Sequence, residues 1–366
     1  MTSTNEPNLP KFIQAMESIY GPLPSPTDPK PSTWTPPETA EGHRGRYLWT
    51  DGFAVVNFLN LHRTTNDSRY LIFAMNLVTT VHNILGYTRD GNHRLPGATD
   101  DRPLNGGLRI GKHDDAGPDS DGQYFHYLTV WMFALDRMSL VTNDKWYNEQ
   151  AVSLAKAVLP HFMINTSSAR PRMYWKLSTD LSHPLVESEG NLDPIDGYVT
   201  YKLLQETSGD PDCLQDEIAL LKKIVDTKWR DYSSSDTLDL GMTLWTAHWL
   251  ASEEAWAATL SRRAIHCLRT LVQHGHFEES TRRRLAFREF GTALGVRAAF
   301  RISSETNSDD ELAAIKHLPD QICKVWEDVG LVPVPTKQQQ GRMAELLPIT
   351  AVMYASALIP GMMCQQ

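Results

Sequence analysis

Helices that are apolar on nearly every face alternate along this chain with helices that carry charge on one side, and that alternation restricts the fold more than any other feature. Apolar residues recur three and four apart over Leu48–His62, Tyr70–Leu85, Gln123–Ser139, Tyr147–Phe162, Asp196–Thr207, Leu214–Trp229, Leu240–Leu250, Glu253–Val272, Arg284–Ile302, Glu311–Val329 and Leu347–Leu358. One class of helix is rich in small and aromatic residues and begins beside an acid, at Asp51, Asp121, Asp196, Asp239, Glu289 and Glu345. The helices between are amphipathic, as in the run holding Glu217, Ile218, Leu221 and Lys222. A helix without a polar face must be covered all round. Six of them, each followed by a half-exposed helix, are satisfied by a closed ring with inner helices round its axis and outer helices over them. The expected fold is all-α, an (α/α)6 toroid formed by residues 43–366 as a single domain, with strand pattern only at Arg172–Leu177 and Leu331–Pro333. Residues 1–42 are expected to form an N-terminal helix and a tether, because Pro22, Pro24, Pro26, Pro29, Pro31, Pro36 and Pro37 exclude a helix and favour an extended path.

The chain has 366 residues, 41% of them hydrophobic, which is enough for one large core or two ordinary ones. A formal charge of −9 gives no basic footprint for nucleic acid and no attraction to an anionic membrane surface. A small-molecule substrate is expected instead, and one chain's sequence leaves the oligomeric state unknown. No apolar run approaches the roughly 18 residues of a spanning helix. Met1–Pro10 lacks a basic and an apolar region, so a cytoplasmic protein is expected. Cys213, Cys267, Cys323 and Cys364 show no paired spacing and read as reduced thiols. Zinc-type spacing, a P-loop, a Gly-rich dinucleotide turn and a nucleophile elbow are all missing from the sequence, so neither metal nor cofactor is expected.

Inner-helix N-termini that converge on one mouth would bring unpaired N–H groups and positive dipole potential. Asp51, Asp121, Asp196 and Asp239 read as caps of those ends, with lone pairs left over for a substrate. Asp51 and Asp121 are the candidate acid/base pair, since glycosidic cleavage needs one carboxyl to protonate the leaving oxygen and another to act as base or nucleophile. The segment Gly86–Ser120 has about 35 residues with seven Gly and no helical period. Such a long structureless loop points to function. Within it, Arg109 and Lys112 are candidates to orient substrate oxygens, and His113 and Asp114 to move a proton. His126, five residues past Asp121, is a candidate general acid or base. Trp49, Tyr124, Trp131, Trp245, His248 and Glu289 are candidate substrate contacts, the rings offering flat apolar faces with polar edges. Each has a plainer reading: the acids as helix caps, the loop charges as mutual partners, the rings as core.

The stretch Arg44-Gly45-Arg46-Tyr47-Leu48-Trp49-Thr50-Asp51-Gly52-Phe53, with Leu95-Pro96-Gly97-Ala98-Thr99-Asp100, Gly107-Leu108-Arg109-Ile110-Gly111-Lys112 and Asp121-Gly122-Gln123-Tyr124-Phe125-His126-Tyr127-Leu128-Thr129, resembles the six-hairpin glycosidase-like proteins, many of them fungal. The resemblance is densest over residues 44–139. It implies an (α/α)6 toroid with a pocket at one end of the ring, a fold that carries no assured reaction. Two functions follow. One is acid/base processing, above all hydrolysis, of a small glycoside. The alternative is a cofactor-free lyase, isomerase or cyclase of specialised metabolism, including a Diels–Alder type of cyclisation of a terpenoid or polyketide, in which cavity shape does most of the catalysis. A non-catalytic binding protein is the third reading.

Overall fold

The computed structural model describes residues 7–23, 33–117, 119–303, 310–334 and 342–365. In chain order its helices are α1 (Leu9–Tyr20), α2 (Leu48–Thr65), α3 (Ser68–Leu85), α4 (Phe125–Thr142), α5 (Lys145–Phe162), α6 (Asp193–Ser208), α7 (Gln215–Lys228), α8 (Thr237–His248), α9 (Ala255–Gln273), α10 (Ala286–Ser303), α11 (Asp310–Ala313), α12 (Leu318–Asp328) and α13 (Arg342–Leu358). Four two-residue strands, β1 (Gln123–Tyr124), β2 (Met163–Ile164), β3 (Arg172–Met173) and β4 (Lys176–Leu177), pair antiparallel as β1 with β4 and β2 with β3. The chain divides into two compact units, Leu23–Asp226 and Met1–Pro22 with Thr227–Gln366.

In the unit of residues 23–226, α2 buries every position from Leu48 to Leu61, and α4 and α6 are buried almost as completely. By contrast α3 buries a stripe of Tyr70, Phe73, Ala74, Leu77, Val78 and Val81, as an outer helix should. α2 packs against α3 and α4, and α4 against α5 and α6. The turns between inner and outer helices follow from two residues. Asn66 ends α2 in the left-handed conformation at φ 57°, and Asp67 then caps α3 by accepting from the Arg69 N–H at 3.0 Å. Asn143 and Asp144 repeat this between α4 and α5, with φ 55° and an acceptance from the Trp146 N–H at 3.0 Å. Asn tolerates the left-handed region and Asp is a strong cap, so the dipeptide reverses the chain without further help.

In the other unit α8, α10 and α13 are the thoroughly buried helices and α9 and α12 the amphipathic ones. α8 and α10 cross with backbone against backbone. A Cβ on Gly241 would come within 2.3 Å of the Gly291 carbonyl oxygen, so only glycine permits the approach. The N-terminal helix α1 buries Phe12, Ala15, Met16 and Tyr20 and packs on α13, supplying its outer partner. Among the described residues, and leaving aside the four-residue α11, each unit therefore holds three inner helices and three outer ones.

Several local expectations move. The helix expected from Gln123 begins at Phe125, because Gln123 and Tyr124 pair as β1 with β4. Glu311–Val329 divides into α11 and α12, and Leu331–Pro333 forms no strand, whereas Arg172–Leu177 does. The acids chosen as caps do not cap: the N-cap residues of α2, α4, α6 and α8 are Tyr47, Tyr124, Leu192 and Asp236. Part of the tether expectation, residues 24–32, lies outside the described residues. No helix among the described residues is long and apolar enough to cross a membrane. The four cysteines are free, and burial pushes the Cys323 and Cys364 thiols up to about 12.

Candidate active site

Within residues 23–226 the first turns of α2, α4 and α6 are joined by side chains. Tyr47, just before α2, and Tyr127 of α4 share a hydroxyl–hydroxyl hydrogen bond of 2.9 Å. Trp49 stands 5.2 Å from the Tyr127 ring and 5.7 Å from His126. His126 stacks on Tyr124 at 5.6 Å, and Trp175, just before β4, reaches the Tyr124 ring at 5.0 Å. The His126 Nδ1 faces Asp193 Oδ1 of α6 at 3.4 Å, with side-chain exposures of 28% and 7%. That separation is long, as catalytic pairs often are before a substrate tightens them. The Trp49 indole N–H is buried and has no acceptor among the described residues. A buried donor without a partner is costly, and here it belongs to an aromatic wall beside the one imidazole of the cluster.

A second carboxyl belongs to the same group. Glu41, half-buried, accepts from the Thr50 hydroxyl at 2.7 Å. Burial, reinforced by the nearby Asp51 charge, holds its carboxyl well above the usual carboxylate range, and the Thr50 hydrogen bond and Arg46 only partly offset this. Its charge also acts on Tyr47 and Tyr127, whose hydroxyls are raised above the usual phenol value chiefly by burial. The Tyr127 ring lies 4.6 Å from the His126 imidazole.

The two carboxylates expected to form the acid/base pair are held differently. Asp121 Oδ1 accepts from the N–H groups of Gly111 at 2.9 Å, Lys112 at 3.2 Å and Gly122 at 3.0 Å. Its Oδ2 accepts from Arg109 at 2.5 Å and Arg89 at 2.9 Å. Five donors saturate a carboxylate with about four lone-pair positions, so Asp121 closes the long loop onto the start of β1. Asp51 is 2% exposed, ion-paired to Arg46 at 3.3 Å, and reaches back to the Tyr47 N–H at 3.3 Å.

The remaining candidates separate into two sets. Trp49, Tyr124 and His126 come together, with Lys112 at 5.4 Å from the Tyr124 ring. Arg109 is fully buried in the Asp121 clamp and also donates to the Tyr87 and Ile84 carbonyls. His113 and Asp114 are exposed on the loop, and a His113 ring nitrogen meets the Ala40 carbonyl at 3.1 Å. Trp131 is core: it is fully buried and gives its N–H to His82 Nε2 at 3.1 Å. Trp245, His248 and Glu289 belong to the other unit. Trp245 donates to the Met363 carbonyl at 2.7 Å, the His248 ring bonds the Trp245 carbonyl, and Glu289 accepts from Arg284 and Trp326.

Sequence reading missed Glu41, Asp193, Tyr47 and Trp175. A usable signal existed for Asp193: Pro194 follows it, and Pro favours the first turn of a helix, so α6 could have been started three residues before Asp196. Glu41 sits at the edge of the Pro-rich stretch and gives no local signal.

No protein-family model and no curated protein sequence matches the chain. Solved structures do. An α-1,6-mannanase of glycoside hydrolase family 76 from Salegentibacter sp. HEL1_6 aligns over 95% of this chain and 98% of its own at TM-score 0.58 and 14% identity. A D-mannose isomerase aligns over 88% of this chain and 87% of its own at TM-score 0.54 and 11% identity. Cellobiose 2-epimerase from Spirochaeta thermophila DSM 6192 aligns over 98% and 99% at TM-score 0.53 and 12% identity. The fold is an (α/α)6 toroid. It is the fold of the six-hairpin glycosidase-like proteins, and the sequence alternation anticipates it.

Proposed function

We propose that the chain is a sugar-processing enzyme that hydrolyses a small glycoside, with Glu41 as proton donor and His126, oriented by Asp193, as the base. The observation that carries the reading is the His126–Asp193 pair, a partly exposed imidazole on a mostly buried carboxylate, inside a wall of Trp49, Tyr124 and Tyr127. In the proposed step Glu41 delivers its proton to the glycosidic oxygen as the bond to the anomeric carbon breaks. Water attacks that carbon and gives a proton to His126 Nε2, while Asp193 stabilises the resulting imidazolium. Aromatic faces suit the apolar faces of sugar rings. The neighbours named as mannanase, mannose isomerase and epimerase support a carbohydrate as the substrate class.

The imidazole favours one further reading, proton transfer at a sugar carbon, because a His–carboxylate pair serves that chemistry equally well. One experiment separates the two. Mono- and disaccharides are incubated with the chain in D2O and followed by NMR. Release of a new reducing end indicates hydrolysis; solvent deuterium at a ring-derived carbon without cleavage indicates isomerisation or epimerisation; neither, with any sugar, refutes the proposal and favours the cyclase alternative. Glu41→Gln should lower hydrolysis and abolish its alkaline limb, since Glu41 works only while protonated.

A further inference from the structure

Tyr124 is surrounded by positive charge in a chain whose net charge is −9. The Lys112 ammonium lies 5.4 Å from its ring centroid and the Lys176 ammonium 4.9 Å. Lys176 is fully buried and donates to the Ser120 carbonyl at 2.8 Å. Burial, with the neighbouring Lys112 charge, pushes its amine down to about 8. Nearby, Arg89 and Arg109 both bind Asp121, so that carboxylate is already over-compensated. Asp119 pairs with Lys112 but is 85% exposed. An exposed pair of this kind is worth little and is readily exchanged. Asp114 and Asp115 are exposed, where water and salt screen them. Two ammonium groups on one ring, one of them deep in the fold and the other held by a displaceable carboxylate, make a poor structural motif and a good receptor for an anion. Tyr124 also stacks on His126, which puts that receptor one ring away from the proposed base.

We propose that Lys112 and the Tyr124 hydroxyl bind an oxyanion carried by the sugar, a carboxylate or a phosphate ester, which displaces Asp119 while Lys176 in its protonated form supplies a second positive charge behind the ring. This rests on the site assigned above and adds the substrate class: an acidic sugar. Lys112 and Tyr124 contact the ligand; Lys176 is a positioning residue that acts through the field it sets up.

The test is calorimetric titration of the full chain with glucose, glucuronate and glucose 6-phosphate at low and high salt. The anionic probes are expected to bind at least about tenfold more tightly than glucose, with the advantage shrinking in salt and in Lys112→Gln. The tighter of the two anions identifies the carboxylate or the phosphate as the recognised group. Lys176→Met should lower the anion-to-glucose ratio and Lys176→Arg should restore it, a pattern that simple loss of packing would not produce. Equal binding of the three probes, binding of none, or an anion preference that survives Lys112→Gln overturns the proposal, and the Lys112 variant decides the matter even where Lys176→Met does not fold. Anion binding with no turnover of any sugar would sink the hydrolase reading and leave this site standing. Equal turnover of neutral and acidic glycosides would do the reverse.

Discussion

In residues 227–366 the acids at the starts of α8 and α10 are consumed by their own surroundings. Asp236 caps α8 and pairs with Arg288, Asp239 accepts from the Tyr232 hydroxyl at 3.0 Å, and Glu289 is 1% exposed beneath Arg284 and Trp326. In residues 23–226 helices opened in the same way leave Glu41 half-buried with a raised carboxyl, and His126 partly exposed beside Asp193. Residues 227–366 spend Asp236, Asp239 and Glu289 on structure; residues 23–226 do the same with Asp51 and Asp121 but also hold a half-buried carboxyl and a partly exposed imidazole. An acid at a helix start is thus a weak pointer to chemistry until its partners are known. Partners that already fill its lone pairs mark an anchor.

This contrast can be broken by substitution. His126→Gln should lower turnover by about 100- to 10,000-fold, the usual weight of a general acid or base, with little change in the urea midpoint. Glu289→Gln should do the opposite: unfolding in urea should show a loss of about 3–5 kcal/mol, because Arg284 is left buried without its charge partner. A Glu289 variant of normal stability would erase the distinction between the units.

Two pH effects sharpen it further within residues 23–226. Lys176 titrates near 8 in the fold and near 10.5 unfolded. Between those values the unfolded chain holds more protons, so stability should rise with pH by about 2–3 kcal/mol relative to Lys176→Met. His82 is the acid counterpart. Burial lowers it to about 3, so it is neutral in the fold and accepts from Trp131. As pH falls below 6.5 the unfolded chain takes up the proton first, and acidification from pH 7 to pH 5 should cost about 2 kcal/mol from this residue. His82→Gln keeps an acceptor for Trp131 and should remove that slope, as read by denaturant unfolding at the two pH values.

The architecture was legible because burial imposes periodicity: a helix covered on all sides has to be written in apolar residues, and α2, α4, α6, α8, α10 and α13 all are. The clustering of His126, Trp49 and Tyr124 was legible for a related reason, since aromatic and imidazole side chains at the start of such a helix face neighbouring helix ends. The roles of Asp121 and Asp51 were not. Whether a carboxylate is free depends on Arg89, Arg109 and Arg46, whose direction is set by loop geometry and not by spacing. Lys176 escaped because its partner, Tyr124, lies across the β1–β4 pairing, more than fifty residues away in sequence.

The saturation of Asp121 has a consequence for how the loop comes into being. Its five donors, from Arg89, Arg109, Gly111, Lys112 and Gly122, are useless to one another until the carboxylate arrives, and two of them repel. Partial order in this stretch gains nothing, so it should lock and release as a single cooperative unit, and the amides of Gly111, Lys112 and Gly122 should exchange with deuterium through one shared opening event.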